Sequence, residues 1–423
     1  MLLNFNSIFY IIPELFLLSF TLFFLLYGLF FKDFVVSPYF NNLYVFFGLV
    51  ILFFTFFLFL DQTFVNMQFL NHMYVIDLFT TYIKLFLIVL FFLFFFLSFH
   101  YFKFEKSRVW EFPVLILTSL LGMFFLVSSN DFFLVYLSIE FQSFCFYILC
   151  AIKKYSNLSV EAALKYFILG SYASVLLLFG ISILYISSGT LNFSDFSLIL
   201  SFLDILSINN ILFFLGMILF FVGIFFKLGL FPFHYWVPDV YEGSPLLITL
   251  FFSVLTKLSF VILVINLLLS LVHVYSFLVD FFYYCSLGSI IYGTLMSLYQ
   301  VRVKRLLAYS GISHMGFIIL ALSCFNFHSF SISLLYLFVY MFLSLNIFAV
   351  ILSLRKVKNF NYPYTILDFS FFLRSNTCLS FIIALSFLSF SGIPPLAGFF
   401  SKFFVLSSLI ESGSYSIAVV VVL

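Results

Sequence analysis

The chain has 423 residues, of which 65% are apolar and only 8% charged, so a large soluble domain is excluded. Soluble domains carry about 25% charged residues. The net charge of +2 says little, no nucleic-acid partner is expected, and a polytopic membrane protein is the class that remains.

About 20 apolar residues span a bilayer. Runs of that length fall near 8–31, 43–60, 75–100, 112–129, 131–151, 162–186, 208–229, 246–270, 275–299, 305–323, 330–353 and 377–409. A further apolar run starts near Ser414 and reaches Leu423. The first run is too long for a signal-peptide core and lacks a basic start, so no cleavable leader is expected. Cys145, Cys150, Cys285, Cys324 and Cys378 all lie in apolar segments without a C-x-x-C, and read as small packing residues. The 74 phenylalanines exceed what a bilayer demands, which points to a U-rich coding genome and hence to an organelle, with a mitochondrially encoded chain expected.

The basic residues test the count of spans. Lys32, then Lys103, Lys106 and Arg108, then Lys153 and Lys154, then Arg302, Lys304 and Arg305, then Arg355, Lys356, Lys358 and Arg374 follow spans 1, 3, 5, 9 and 11. Loops after even-numbered spans carry Asp61, Asp195, Asp204 and Glu411 instead. The positive-inside rule then puts the N-terminus outside, which is the intermembrane-space side in a mitochondrion.

Five of the 18 cations are not in loops: Lys84, Lys165, Lys227, Lys257 and Lys402. A charge inside a membrane helix costs about 2.5–3.5 kcal/mol on insertion scales and marks a functional site by default. Lys227 ends an apolar run and meets Pro232 five residues later. Lys257 has about ten apolar or small residues on either side, too many for snorkelling. Lys402 follows Gly392, Pro394 and Pro395, a second broken helix. Glu140 is the acid deep in the fifth span. Lys165 has Glu161 at i−4, so an exposed pair competes with a proton role. Lys84, near the outer end of the third helix, reads as a structural ion pair or snorkelling end, Glu14 and Asp77 as interfacial groups near helix ends, and Asp239 and Glu242 as residues of the turn after the broken seventh helix, where capping or loop contacts compete with function. His234 and His314 are either proton carriers or core histidines satisfied by hydrogen bonds. The six histidines do not form facing pairs for haem, and no nucleotide or metal-ligand spacing occurs, so neither cofactor nor metal is expected in this chain.

Burial favours the neutral form of an amine, and a nearby carboxylate favours the charged form. Glu140 moving relative to Lys227 would switch the proton affinity of that lysine. The pattern is that of a proton relay with an electrostatic gate; amine carriers favour a proton over sodium. The Pro/Gly break recurs five spans apart. Helices 4–8 and 9–13 are therefore expected as two five-helix repeats of opposite orientation. The division is 1–103 for three N-terminal helices, 110–270 for the first repeat and 275–423 for the second.

At these residues the chain resembles the antiporter-like membrane subunits of respiratory complex I, NADH:ubiquinone oxidoreductase. The segments are FKLGLFPFHYWVPDVYEGSP, SIEFQSFCFYIL, EAALKYFILGS, RLLAYSGISHMGF and SGIPPLAGFFSKF, spread over about residues 110–405. PDVYEG and a lysine in helix 12 are similar to the subunit 2 branch. The resemblance implies an all-α antiporter-like bundle with broken helices 7 and 12. It implies proton pumping coupled to NADH–quinone electron transfer in other subunits, beside membrane-arm partners and lipids. It assigns Glu140 and Lys227 to a gating pair, Lys257 to the central relay and Lys402 to the distal station, with Lys165, His234 and His314 as further candidates. Family members complete a thirteenth helix and add a fourteenth. A helix ending in mid-bilayer leaves carbonyls unpaired, so a separate chain is expected to supply these helices, or they lie beyond this sequence. The competing readings are a membrane subunit of a multisubunit sodium/proton antiporter, against which PDVYEG argues, and a spacer that no longer pumps, against which the four retained charges argue.

Overall fold

The computed structural model describes residues 10–30, 38–60, 67–102, 111–200, 208–270, 275–353, 365–369 and 376–422. Lys32, Lys103, Lys106, Arg108, Arg355, Lys356, Lys358 and Arg374, with Asp61 and Asp204, lie outside them.

In hydrocarbon every backbone polar group needs an internal partner, so the apolar runs fold as helices. In chain order these are α1 (Ile12–Phe30), α2 (Pro38–Leu60), α3 (Leu78–Phe102), α4 (Glu111–Val127), α5 (Phe132–Cys150), α6 (Asn157–Ser188), α7 (Phe193–Leu200), α8 (Ile208–Leu228) and α9 (Trp236–Gly243). Then follow α10 (Leu246–Ser270), α11 (Tyr275–Leu298), α12 (Val303–Leu322), α13 (Phe327–Ser353), α14 (Thr377–Ser391), α15 (Ala397–Glu411) and α16 (Tyr415–Val422). Ten helices are long and apolar enough to cross a bilayer among the described residues, and two shorter apolar ones, α4 and α14, bring the spans to the expected twelve. Two elements were not expected. A hairpin of β1 (Met67–Phe69) and β2 (Tyr74–Ile76) precedes α3, paired Met67 to Ile76. Amphipathic α7 lies between the sixth and seventh spans.

α10 is the central post. Its whole membrane window is buried, and it packs against α3, α4, α7, α8, α9 and α13. The halves of the bundle also meet where α9 packs on α12 and α8 on α11. Small residues let helices approach closely: a Cβ on Gly180 of α6 would stand 2.8 Å from the Gly216 carbonyl of α8. Apolar side chains such as Phe23, Phe53 and Ile186 face outward, as lipid requires.

The loop charges sort by end. Arg302 and Arg305 both bond Glu242, Asp239 meets Lys165 at 3.0 Å and Arg305 at 3.4 Å, and Lys304 Nζ donates to the Ser244 carbonyl at 2.5 Å. This network ties α6, α9 and the start of α12 together at one end of the bundle. It also corrects the reading of Asp239 and Glu242, which lie inside α9 and have cations as partners. The hairpin lies at the opposite end.

Glu14 and Lys84, each near the start of its helix, are 1% and 0% exposed and form an ion pair at 2.8 Å, the structural pairing expected of Lys84. Residues 70 positions apart meet because α1 and α3 enter the membrane from the same side. Four cysteines are buried as expected, while Cys378 is exposed at the start of α14.

Candidate functional site

The first break begins where α8 runs out at Leu228. Gly229 takes φ +75°, a left-handed conformation that other residues rarely adopt. The Leu230 amide donates to the Phe225 carbonyl and the Gly229 amide to that of Phe226, both at 3.0 Å, which is the Schellman closure. Trp236 Nε1 donates to the Phe226 carbonyl at 2.8 Å, and its ring stacks on Tyr166 of α6 at 4.6 Å. The Leu228 carbonyl has no helical partner. It accepts from Lys257 Nζ, reaching over from α10.

Lys227, one residue earlier, points elsewhere. It is 4% exposed, and Nζ donates to Tyr147 Oη at 3.4 Å while lying 5.6 Å from the centre of that ring. Tyr147 is seven residues, two turns, after Glu140 on α5. Glu140 is within Coulombic reach of Lys227, but the two do not form a direct ion pair. Glu140 Oε1 and both amide atoms of Gln142 are buried without a hydrogen-bond partner among the described residues.

The second break repeats the first closure. Gly392 takes φ +86°, the Gly392 amide donates to the Ser389 carbonyl at 3.1 Å, and the Ile393 amide to that of Leu388 at 3.3 Å. The freed carbonyls of Phe390 and Ser391 accept from Lys402 Nζ at 3.0 and 3.1 Å. Lys402 also lies 5.4 Å from the Phe317 ring centre of α12. By this geometry the counterpart of Lys402 is Lys257: each caps the carbonyl of the last residue before a left-handed glycine. Lys227 has no counterpart, since Phe390 stands two residues before Gly392 as Lys227 stands two before Gly229.

His314 is buried and bonds through Nδ1 to Tyr336 Oη at 2.8 Å, within Coulombic reach of Lys402. His234 is buried between the halves, 4.3 Å from the Tyr292 ring of α11, with neither ring nitrogen partnered among the described residues. Lys165 stands apart from these groups. Its side chain is 45% exposed and pairs with Glu161 at 2.8 Å and Asp239 at 3.0 Å.

Sequence reasoning missed three features. Tyr147 and Gln142 share α5 with Glu140, and the seven-residue spacing of Tyr147 is the signal that could have found it. The turn Phe251–Leu255 of α10, which ends two residues before Lys257, is a π-helix, a wide turn that often sits at functional sites. Nothing in that apolar run announces it.

Against known proteins, the family model described as NADH:quinone oxidoreductase/Mrp antiporter, TM, matches residues 129–423. A Marchantia polymorpha protein named NADH-ubiquinone oxidoreductase chain 2 is 36% identical over 418 residues, covering 96% of this chain and 83% of that one. A Pelagibacter ubique protein named NADH-quinone oxidoreductase subunit N is 34% identical over 412 residues, covering 97% and 85%. A chain in the structure of respiratory complex I from Thermus thermophilus with bound aureothin superimposes with a TM-score of 0.76 at 26% identity, covering 97% of this chain and 85% of that one. The sequence, the two broken helices and these matches together place the chain in the subunit 2 (subunit N) family of antiporter-like membrane subunits of NADH:quinone oxidoreductase.

Proposed function

We propose that this chain carries protons across the membrane as a membrane-arm subunit of NADH:ubiquinone oxidoreductase, with electron transfer taking place in other subunits. The observation that carries this reading is the pair of broken helices, each holding a lysine amine against a freed backbone carbonyl. These acceptors are neutral, so no carboxylate clamps the amine in its charged form, and each lysine can take and give a proton. Lys227 and Lys257 meet one break at adjacent residues: Lys227 belongs to it, and Lys257 bonds Leu228.

In this scheme Glu140 gates Lys227 by approach and retreat, Lys257 is the next carrier and Lys402 the far station. His314 and His234 offer proton-carrying sites beside that line, and Lys165 sets charge at the end where the basic residues gather. Residues 110–270 and 275–423 are the two inverted repeats. The membrane is the mitochondrial inner membrane, and the N-terminus faces the intermembrane space. Support comes from the clustering of Lys304, Arg302 and Arg305 at one end of the bundle and from the phenylalanine excess.

The test is Lys227→Ala in the assembled complex, in closed vesicles. Proton translocation and coupled turnover fall while assembly stays largely intact; wild-type pumping would remove the relay. A sodium/proton antiporter subunit is the competing reading, because the family model also names Mrp antiporters. It predicts sodium-dependent transport in a small complex without flavin or iron–sulfur subunits.

A further inference from the structure

Three side chains of the N-terminal region bury a second titratable cluster. Glu14 of α1, Tyr74 of β2 and Lys84 of α3 are each 2% exposed or less. Lys84 Nζ donates to Glu14 Oε1 at 2.8 Å and to Tyr74 Oη at 2.6 Å, and Tyr74 Oη donates to the same Glu14 oxygen at 2.6 Å. Both contacts to the carboxylate use its Oε1 side. Glu14 Oε2 is buried without a partner among the described residues. A buried ion pair that serves only as a brace repays its desolvation when the remaining lone pairs are also satisfied. This one leaves an oxygen open to a proton or a water molecule.

The cluster has an outlet. The Val75 amide, next after Tyr74, donates to the Ser128 carbonyl at 2.9 Å, which sets the tyrosine beside Ser128. Ser128 lines a cleft of about 480 Å³ whose wall also carries Gln68, Asp77, Asn130, Asn266 and Ser270. Burial raises the Asp77 carboxyl above its ordinary value, as suits a group that receives protons. Asn266 and Ser270 belong to α10, the helix of Lys257. Nine residues separate Lys257 from Asn266, about 13 Å along the helix at 1.5 Å per residue. The cleft lies at the hairpin end, opposite the arginine network.

We propose that this cleft is the outward mouth of the Lys257 branch of the relay, and that Glu14, screened by Lys84 and Tyr74, is its terminal proton-holding group. The proposal rests on the proton-translocating reading above. In the release step one proton leaves the Glu14 carboxyl and enters the cleft past Tyr74. The Lys84 ammonium balances the carboxylate left behind, and no other bond is made or broken.

The test measures protons released per NADH oxidised, in closed vesicles holding the intact complex. Glu14→Gln keeps the shape and the acceptor oxygen for Lys84 and Tyr74. It lowers the ratio below wild type at wild-type assembly. Tyr74→Phe keeps the ion pair, loses the hydroxyl and lowers the ratio likewise, which decides the matter if Glu14→Gln fails to assemble. The double variant Glu14→Gln with Lys84→Met removes both charges; a brace would then leave the ratio at wild type, whereas a release group leaves it lowered. A wild-type ratio in assembled Tyr74→Phe and in the double variant overturns the proposal. If Lys227→Ala lowers pumping in the same vesicles, the proton-translocating reading survives that failure.

Discussion

The two broken helices close in the same way at glycine and differently at lysine. At Gly229 the amine comes from another span, and Lys257 is 3% exposed within a helix buried over its whole membrane length. At Gly392 the amine comes from the second half of the same broken helix, and Lys402 is only partly buried beside exposed Phe400 and Phe403. The first break therefore couples two helices through one ammonium, while the second closes on itself. A proton leaving Lys257 changes the contact between α8 and α10; a proton leaving Lys402 changes the elbow between α14 and α15 and the contact of its amine with Phe317 of α12.

This contrast is open to direct attack. The largest effect is expected for Lys257→Met, which strands the buried Leu228 carbonyl. Pumping in closed vesicles falls to background, and thermal unfolding of the complex shows a loss of about 1–3 kcal/mol, the cost of an unsatisfied buried acceptor. Lys402→Met abolishes pumping with a smaller thermal shift, and an equal shift would erase the distinction between the breaks. Gly229→Ala forces a left-handed alanine, about 1–2 kcal/mol, and presses its Cβ to 2.5 Å from Val237. Gly392→Ala meets the flexible Lys402 stem at 3.0 Å instead, so its destabilisation by the same assay is the lesser of the two. Lys227→Arg, whose guanidinium does not release its proton, cuts translocation without altering either closure, as assembly on native gels will register. Smallest is Lys165→Ala: its exposed pairs are worth about 0–1 kcal/mol, and pumping stays near wild type.

Much of this was legible in the sequence. Apolar runs of bilayer length gave the spans. Lys227, Lys257, Lys402 and Glu140 stood out because a charge surrounded by Phe and Leu is costly. Pro232, and Gly392 with Pro394 and Pro395, marked the breaks. What the sequence withheld depends on contacts between distant residues. The Leu228 carbonyl as partner of Lys257 is a backbone atom 29 positions away, with no side-chain signature. Lys84 and Glu14 each read as helix-end residues because their ion pair spans 70 positions. The π turn before Lys257 occurs in a run whose composition fits an ordinary helix equally well.

The carbonyl ends of α8 and α14 carry one more consequence. Aligned peptide units give a helix about half a negative charge at its C-terminus. An ordinary membrane helix delivers that charge to water; α8 ends inside the bundle at buried Leu228, and α14 ends at Ser391, where a second helical segment follows before the span is complete. Lys257 and Lys402 thus face a fixed negative pole that no proton can neutralise. The backbone supplies counter-charge that acidic side chains would otherwise have to provide, which accounts for a line of three lysines served by one glutamate, Glu140.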